Sequence, residues 1–335
     1  MAFPMGMGFR LGLYLAANWA KRRQRFPLVL MLEPTEQCNL RCAGCGRIRE
    51  YRERLDERLA PTACFHALEE TGAPVVAISG GEPLLHPEID RIVKGIIARG
   101  RYVHLCSNGL LLKRSLEKFE PEPRMAFVLH VDSPRERHDA ATGRPGSFDT
   151  AMEAIRAAKQ RGFRVYTNTT IFKGVDFAET EALFASLSEL GVDGLMISPA
   201  FGFESVENDA YFSSREEIID SLKPLRSLRR RFRFYNTSGY LRFLTGELDV
   251  ECLPWSTPTL TPSGWRQPCY LIADAHCGSY RELISNTSWE KYGPRNDPRC
   301  AKCMVHCGFE AGVLDRIRRH PLDLLRTAGG NACSR

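Results

Sequence analysis

Between residues 28 and 200 the chain alternates two kinds of segment, and this alternation restricts its fold more than any other feature. Short apolar runs fall at 28–32, 75–79, 102–106, 127–131, 164–170 and 194–198. They are too short for helices, and they read as strands. Between them lie amphipathic stretches at 62–71, 87–99, 148–161 and 177–190. Strands that are apolar on both faces and separated by helices require a parallel sheet covered by helices. Six such units predict an α/β fold, an incomplete (β/α)6 barrel spanning 27–234. Chemistry then belongs in the loops after the carboxyl ends of the strands. The composition is that of a folded globular chain, with 43% hydrophobic and 26% charged residues, which excludes disorder and multiple membrane spans. A net charge of +6 spread over 335 residues does not imply nucleic acid without a concentrated basic stripe.

The ends of the chain follow different rules. Residues 1–19 are apolar but interrupted by Arg10 and Asn18, and Lys21, Arg22, Arg23 and Arg25 come after them. A secretory signal carries its cations before the apolar run, so a cytoplasmic protein is expected. Leu11, Tyr14, Leu15 and Trp19 recur at helical spacing. Residues 1–26 therefore read as an amphipathic helix, lying either in a membrane interface on the inner face or over the open end of the main domain. The run at 226–234 is basic and reads as a solvated helix face. From 254 to 269 proline, threonine and glycine remove all periodicity. Residues 235–320 are thus expected to form a small irregular extension held by metal, followed by a tail at 321–335.

Twelve cysteines make metal the central question. A chain this long needs no disulfide scaffold, and clustered cysteines read first as metal ligands. Cys38, Cys42 and Cys45 form a C-x3-C-x2-C run after the first strand. Three thiolates in one loop suit three irons of a [4Fe–4S] cube, leaving one iron open, whereas structural zinc wants a fourth protein ligand. Cys300, Cys303 and Cys307 cluster late, with Cys252 and Cys269 ahead of them, and His306 is a further possible ligand. Iron–sulfur and zinc both remain open for this second group. Cys64, Cys277 and Cys333 have no such company.

The C-x3-C-x2-C loop resembles the defining motif of the radical S-adenosylmethionine superfamily. In that family the open iron binds the cofactor's amino and carboxylate groups, and one electron releases a 5′-deoxyadenosyl radical. The residue before the third cysteine is usually aromatic there and is Gly44 here. Ser79-Gly80-Gly81-Glu82-Pro83 matches the family's GGEP motif, where glycines allow close backbone approach and Glu82 accepts hydrogen bonds from an ammonium. The resemblance extends cofactor contacts to Asn108, Asp132 and Asn168. Cys252, Gly264, Cys269, Cys300 and Cys303 resemble the Twitch/SPASM-type extension that carries an auxiliary cluster.

A narrower resemblance covers nearly the whole chain. PLVLMLEP at 27–34, the GGEPLLH segment, Leu105-Cys106, GWRQPCYL and CAKCMVHCGFEA are similar to the adenosyl-hopene transferase family of hopanoid biosynthesis. That resemblance implies addition of the radical to the terminal alkene of a hydrophobic polycyclic isoprenoid, diploptene. It also implies Cys106 as hydrogen-atom donor, and an electron donor such as flavodoxin or ferredoxin. The chain departs from that pattern at 34–37, 131–133 and 200–209, and some of these loops are expected to line the substrate pocket. Two alternatives stand beside this reading. One is a Twitch-type enzyme acting on another isoprenoid or by hydrogen abstraction; the other is a non-catalytic zinc module.

Overall fold

A computed structural model describes residues 4–206 and 214–320. The six expected strands are present within two residues of their predicted limits: β1 (Val29–Leu32), β2 (Val75–Ile78), β3 (Tyr102–Ser107), β4 (Met125–His130), β5 (Val165–Ile171) and β6 (Gly194–Pro199). All adjacent pairs among them are parallel, in the order β6-β5-β4-β3-β2-β1. The intervening helices Pro61–Thr71, Ile89–Ala98, Ser147–Gln160 and Phe177–Glu189 also fall where periodicity places them.

Local chemistry fixes their ends. Pro61 opens the first of these helices, where its missing N–H costs nothing, and Gly72 closes it in the left-handed region. Asp176 caps another by accepting from the Ala178 amide.

The sheet has two differently covered faces. On β3, Val103 and Leu105 point into the main core with Ile92, Val93 and Ile96 of the neighbouring helix. Alternation sends Tyr102 and Cys106 to the opposite face, into a second cluster with Val75, Val128, Tyr166 and Tyr235. Met7 of the helix Met5–Ala20 joins that second cluster. Arg10 of the same helix lies against Gly100, and the Tyr14 hydroxyl donates to the Pro27 carbonyl at 2.7 Å. The helix therefore closes the end of the sheet where the strands begin, one of its two expected placements. Its other side is exposed.

The extension departs from expectation. Residues 235–320 are not wholly irregular: β7 (Thr259–Thr261), β8 (Gly264–Pro268) and β9 (Ala273–Cys277) extend the same sheet beyond β1. β7 pairs parallel with β1, and β8 and β9 follow antiparallel, giving a mixed nine-stranded sheet. Strands of three to five residues, one containing proline, are too short to leave a periodic signal. Gly264, at φ +113°, makes the turn between β7 and β8. The extension also buries its own apolar side chains, including Trp265, Leu283, Trp289 and Phe309, so apolar packing contributes where metal alone was expected. The basic run forms the helix Leu225–Arg231, with Leu225 and Leu228 buried and Arg229 paired to Glu247. The tail at 321–335 and Cys333 lie outside the described residues.

Candidate functional site

The loop after β1 carries Cys38, Cys42 and Cys45, all half-buried. The Cys45 amide donates to the Cys42 carbonyl at 3.2 Å, and the Ala43 amide to the Ala141 carbonyl at 2.9 Å, so the loop is pinned at two points. Burial pushes the Cys38 thiol up to about 11 and the Cys42 thiol up to about 12. Charge on the neighbouring thiols adds to both shifts, which places the three within electrostatic reach of one another.

The loop after β2 holds the cysteine loop in place. The Gly81 amide donates to the Thr35 carbonyl at 3.0 Å and the Glu82 amide to the Gln37 carbonyl at 2.8 Å. A Cβ on Gly80 would lie 2.4 Å from the Thr35 carbonyl oxygen, and one on Gly81 would lie 2.2 Å from that of Gln37. The glycines thus admit the backbone of the cysteine loop itself, where the motif suggested approach to a ligand. Glu82 is fully buried; its carboxylate accepts from the amides of Leu84 (3.1 Å) and Asn108 (2.9 Å) and from the Ser107 hydroxyl. Burial pushes its carboxyl up to about 7 despite these donors. Asn108 in turn donates from Nδ2 to Asn39 at 2.7 Å and lies 4.0 Å from the Cys38 sulfur. Glu82 and Asn108 therefore connect β2, β3 and the cysteine loop.

Asp132, two residues past the end of β4, and Asn168 of β5 form a separate group. Asp132 accepts from the Thr170 amide at 2.8 Å and pairs with His130 at 3.6 Å, which holds its carboxyl below the usual range despite burial. The other His130 nitrogen meets Asn168 Nδ2 at 3.2 Å, and the buried Asn168 Oδ1 has no hydrogen-bond partner. His130 links the two predicted residues, and the sequence reading passed over it.

Cys106 is the last residue but one of β3 and lies on the second face of the sheet, directly before Ser107 and Asn108. It is half-buried, and burial with the nearby Glu82 charge pushes its thiol up to about 12. It therefore remains S–H at neutral pH.

Cys252, Cys269, Cys300, Cys303 and Cys307 line one small apolar cavity in the extension. A Cβ on Gly308 would sit 2.4 Å from the Cys252 sulfur, so glycine beside Cys307 makes room for that thiol. Five thiols in one cavity with such a cradle fit a thiophilic metal or cluster, and the C-x3-C-x2-C loop fits one by the same donor chemistry. Among the described residues no three His, Cys, Asp or Glu side chains already stand in metal-binding array. His306 is packed edge-on against Tyr240, and burial lowers its imidazole to about 4. Cys64 and Cys277 are buried in the main core.

The sequence reading missed a buried ionic group beneath the cysteine loop. Arg47 pairs with Glu33 at 3.0 Å, and Arg266 of β8 pairs with Glu50 at 2.8 Å. Arg47 also donates to the Tyr270 carbonyl, and its guanidinium lies 4.5 Å from that ring. Neither carboxylate oxygen of the buried Glu36 has a hydrogen-bond partner, and burial raises its carboxyl well above the usual range. Pro34, Thr35 and Glu36 are buried beside the cysteine loop, and Val131 and Ser133 are buried as well. Residues 207–209 lie outside the described residues. Isolated acidic residues on either side of the cysteine run carry no spacing signal that marks them as buried.

Residues 32–187 match the family model of the radical SAM superfamily, and 195–327 match a domain of unknown function, DUF3463. The chain is 24% identical over 200 residues to Fe-coproporphyrin III synthase of Methanosarcina barkeri, covering 57% of this chain and 50% of that protein. It is 25% identical over 267 residues to GTP 3′,8-cyclase of Synechocystis sp., covering 72% and 78%. The chain thus spans about half the length of the first relative. In fold it is similar to Streptococcus suis SuiB bound to precursor peptide SuiA, with a TM-score of 0.66 at 13% identity over 91% of this chain and 76% of that one. It is similar also to anSMEcpe with bound AdoMet and Cp18Cys peptide, with a TM-score of 0.63 at 15% identity over 90% and 98%. The cysteine loop, its GGEP partner and the match of residues 32–187 together support membership of the radical SAM superfamily.

Proposed function

We propose that the chain adds a 5′-deoxyadenosyl group to the terminal alkene of a hopanoid, converting diploptene to adenosylhopane. The observation that carries this reading is the position of Cys106, a protonated thiol at the carboxyl end of β3, in a segment that resembles the adenosyl-hopene transferase family. A cluster on Cys38, Cys42 and Cys45, with S-adenosylmethionine, supplies the 5′-deoxyadenosyl radical when bound. Addition to an alkene forms one C–C bond and leaves an unpaired electron on the substrate carbon. Cys106 then gives up its hydrogen atom: the S–H bond breaks and a stronger C–H bond forms. The sulfur returns to thiol by taking one electron and one proton, the electron from a small carrier such as flavodoxin or ferredoxin. Glu82 and Asn108 position the cysteine loop. Asn168, with its unpartnered amide oxygen, and Asp132 are assigned to cofactor contacts. Cys252, Cys269, Cys300, Cys303 and Cys307 are assigned to an auxiliary iron–sulfur cluster, four of the five serving at a time.

The test is to incubate reduced, anaerobically reconstituted enzyme with S-adenosylmethionine and diploptene, and to look for adenosylhopane by mass. In Cys106→Ala, adenosyl transfer should persist while saturated product falls and unquenched products appear. Normal saturated product from that variant removes Cys106 from the reaction. A second reading is hydrogen abstraction from a peptide; anSMEcpe, similar in fold, is seen with AdoMet and a peptide bound. Free 5′-deoxyadenosine formed in step with a modified peptide, with diploptene untouched, would establish that reading instead.

A further inference from the structure

The helix Met5–Ala20 is inverted relative to an ordinary surface helix. Its polar side chains face the protein: Asn18 is buried and donates to the Tyr14 carbonyl, Tyr14 bonds Pro27, and Arg10 lies along Gly100. Every exposed position of the helix is Gly, Ala, Met, Phe or Leu. Met5, Phe9 and Leu13, spaced four apart on one face, are 93%, 71% and 57% exposed. A water-facing helix surface with no polar side chain is the opposite of what solvent selects.

Charge lies at the end of this face. The five residues after the helix, Lys21 to Arg25, include four cations, and all five are exposed. Residues 1–32 contain five cations and no carboxylate side chain, so this segment holds most of the net charge of +6. Arg22, Arg23 and Arg25 share a groove with Trp19 and with Arg318 and Arg319 of the helix His306–Arg319. At about 1.5 Å per residue the helix is too short for a hydrocarbon core of about 30 Å. No helix among the described residues is long and apolar enough to cross a membrane.

We propose that this face is a docking surface for an anionic phospholipid bilayer. Met5, Phe9 and Leu13 enter the interface, and the Lys21–Arg25 collar meets the headgroups. Charge complementarity selects lipid over a second copy of the chain, because self-association would bring two uncompensated basic collars into one contact. The helix lies where the strands begin, opposite the cysteine loop, so docking and cofactor cleavage are separable. The inference is independent of which substrate the enzyme uses.

The test sediments the intact, reconstituted protein with vesicles of phosphatidylcholine alone or mixed with phosphatidylglycerol. The protein should pellet with the anionic vesicles and release as salt rises. Phe9→Glu/Leu13→Glu should weaken partitioning at least roughly tenfold. Lys21→Gln and Arg22→Gln should each weaken it roughly fivefold. Gly12→Leu, at a position with nothing within 4 Å, should tighten it by roughly tenfold, which guards against misfolding in the loss variants. Formation of 5′-deoxyadenosine without vesicles should be unchanged in all of them. Equal pelleting of the Phe9→Glu/Leu13→Glu protein overturns the proposal. So does a dimer that this variant dissociates in the absence of any vesicle binding.

Discussion

Gly81→Ala tests whether backbone packing between two loops sets the cysteine site. The added methyl would lie 2.2 Å from the Gln37 carbonyl oxygen and 2.5 Å from the Glu36 carbonyl oxygen, both of them backbone atoms. Real Cβ atoms stay beyond 3.0 Å, so the segment next to Cys38 must retreat by roughly 0.8 Å. Such overpacking costs about 1–3 kcal/mol. The retreat also stretches the Glu82-to-Gln37 bond of 2.8 Å, which adds about 1 kcal/mol. A displacement of this size next to a metal ligand is expected to cost cofactor cleavage about 100-fold. Gly8→Ala is the control, since nothing lies within 4 Å of a Cβ there and the helix should be unharmed. Urea midpoints, iron per chain and 5′-deoxyadenosine yield are measured on wild type and both variants. If Gly81→Ala retains wild-type stability, iron and cleavage, close packing of the two loops is not what holds Cys38.

Three further outcomes follow from other parts of the molecule. Arg266→Met strips Glu50 and the Tyr51 hydroxyl of a fully buried partner and should cost about 3 kcal/mol in urea unfolding, partly recovered by adding Glu50→Gln; an unchanged midpoint would show that the ionic group does not join extension to sheet. Native Glu82 keeps its proton to about pH 7 while an unfolded glutamate loses it near 4.5, so the folded state binds the extra proton and stability falls as pH rises through that window. Wild type should lose about 3 kcal/mol there relative to Glu82→Gln, and parallel stability curves would remove that assignment. Substituting both Cys300 and Cys303 with Ser, which leaves three of the five thiols, should lower iron per chain by about one cluster while iron on the C-x3-C-x2-C loop remains. Stoichiometric zinc in the wild-type protein would assign the extension to zinc.

The sequence by itself determined the strand-and-helix order, because periods of 2 and 3.6 are local properties and each of the six runs is bounded by its own turn residues. It determined the donor chemistry too: C-x3-C-x2-C brings three thiols into one loop whatever surrounds it. Tertiary structure decided what those segments meet. That Gly80 and Gly81 receive the backbone of residues 35–37 is a contact between loops some forty residues apart, with no trace in either loop alone. Glu33, Glu36, Arg47 and Arg266 look like solvated charges in sequence and are buried where β7 and β8 continue the sheet past β1, which brings Arg266 to Glu50 and the Tyr270 carbonyl to Arg47. His130 joins Asp132 to Asn168 only because β4 and β5 are adjacent, in a register that sets His130 opposite Asn168. The five extension cysteines share one cavity because the chain folds back between 269 and 300. Which side of the first helix faces water was also beyond sequence. The helix has apolar residues all round, and only its docking against the starts of the strands leaves Met5, Phe9 and Leu13 outside.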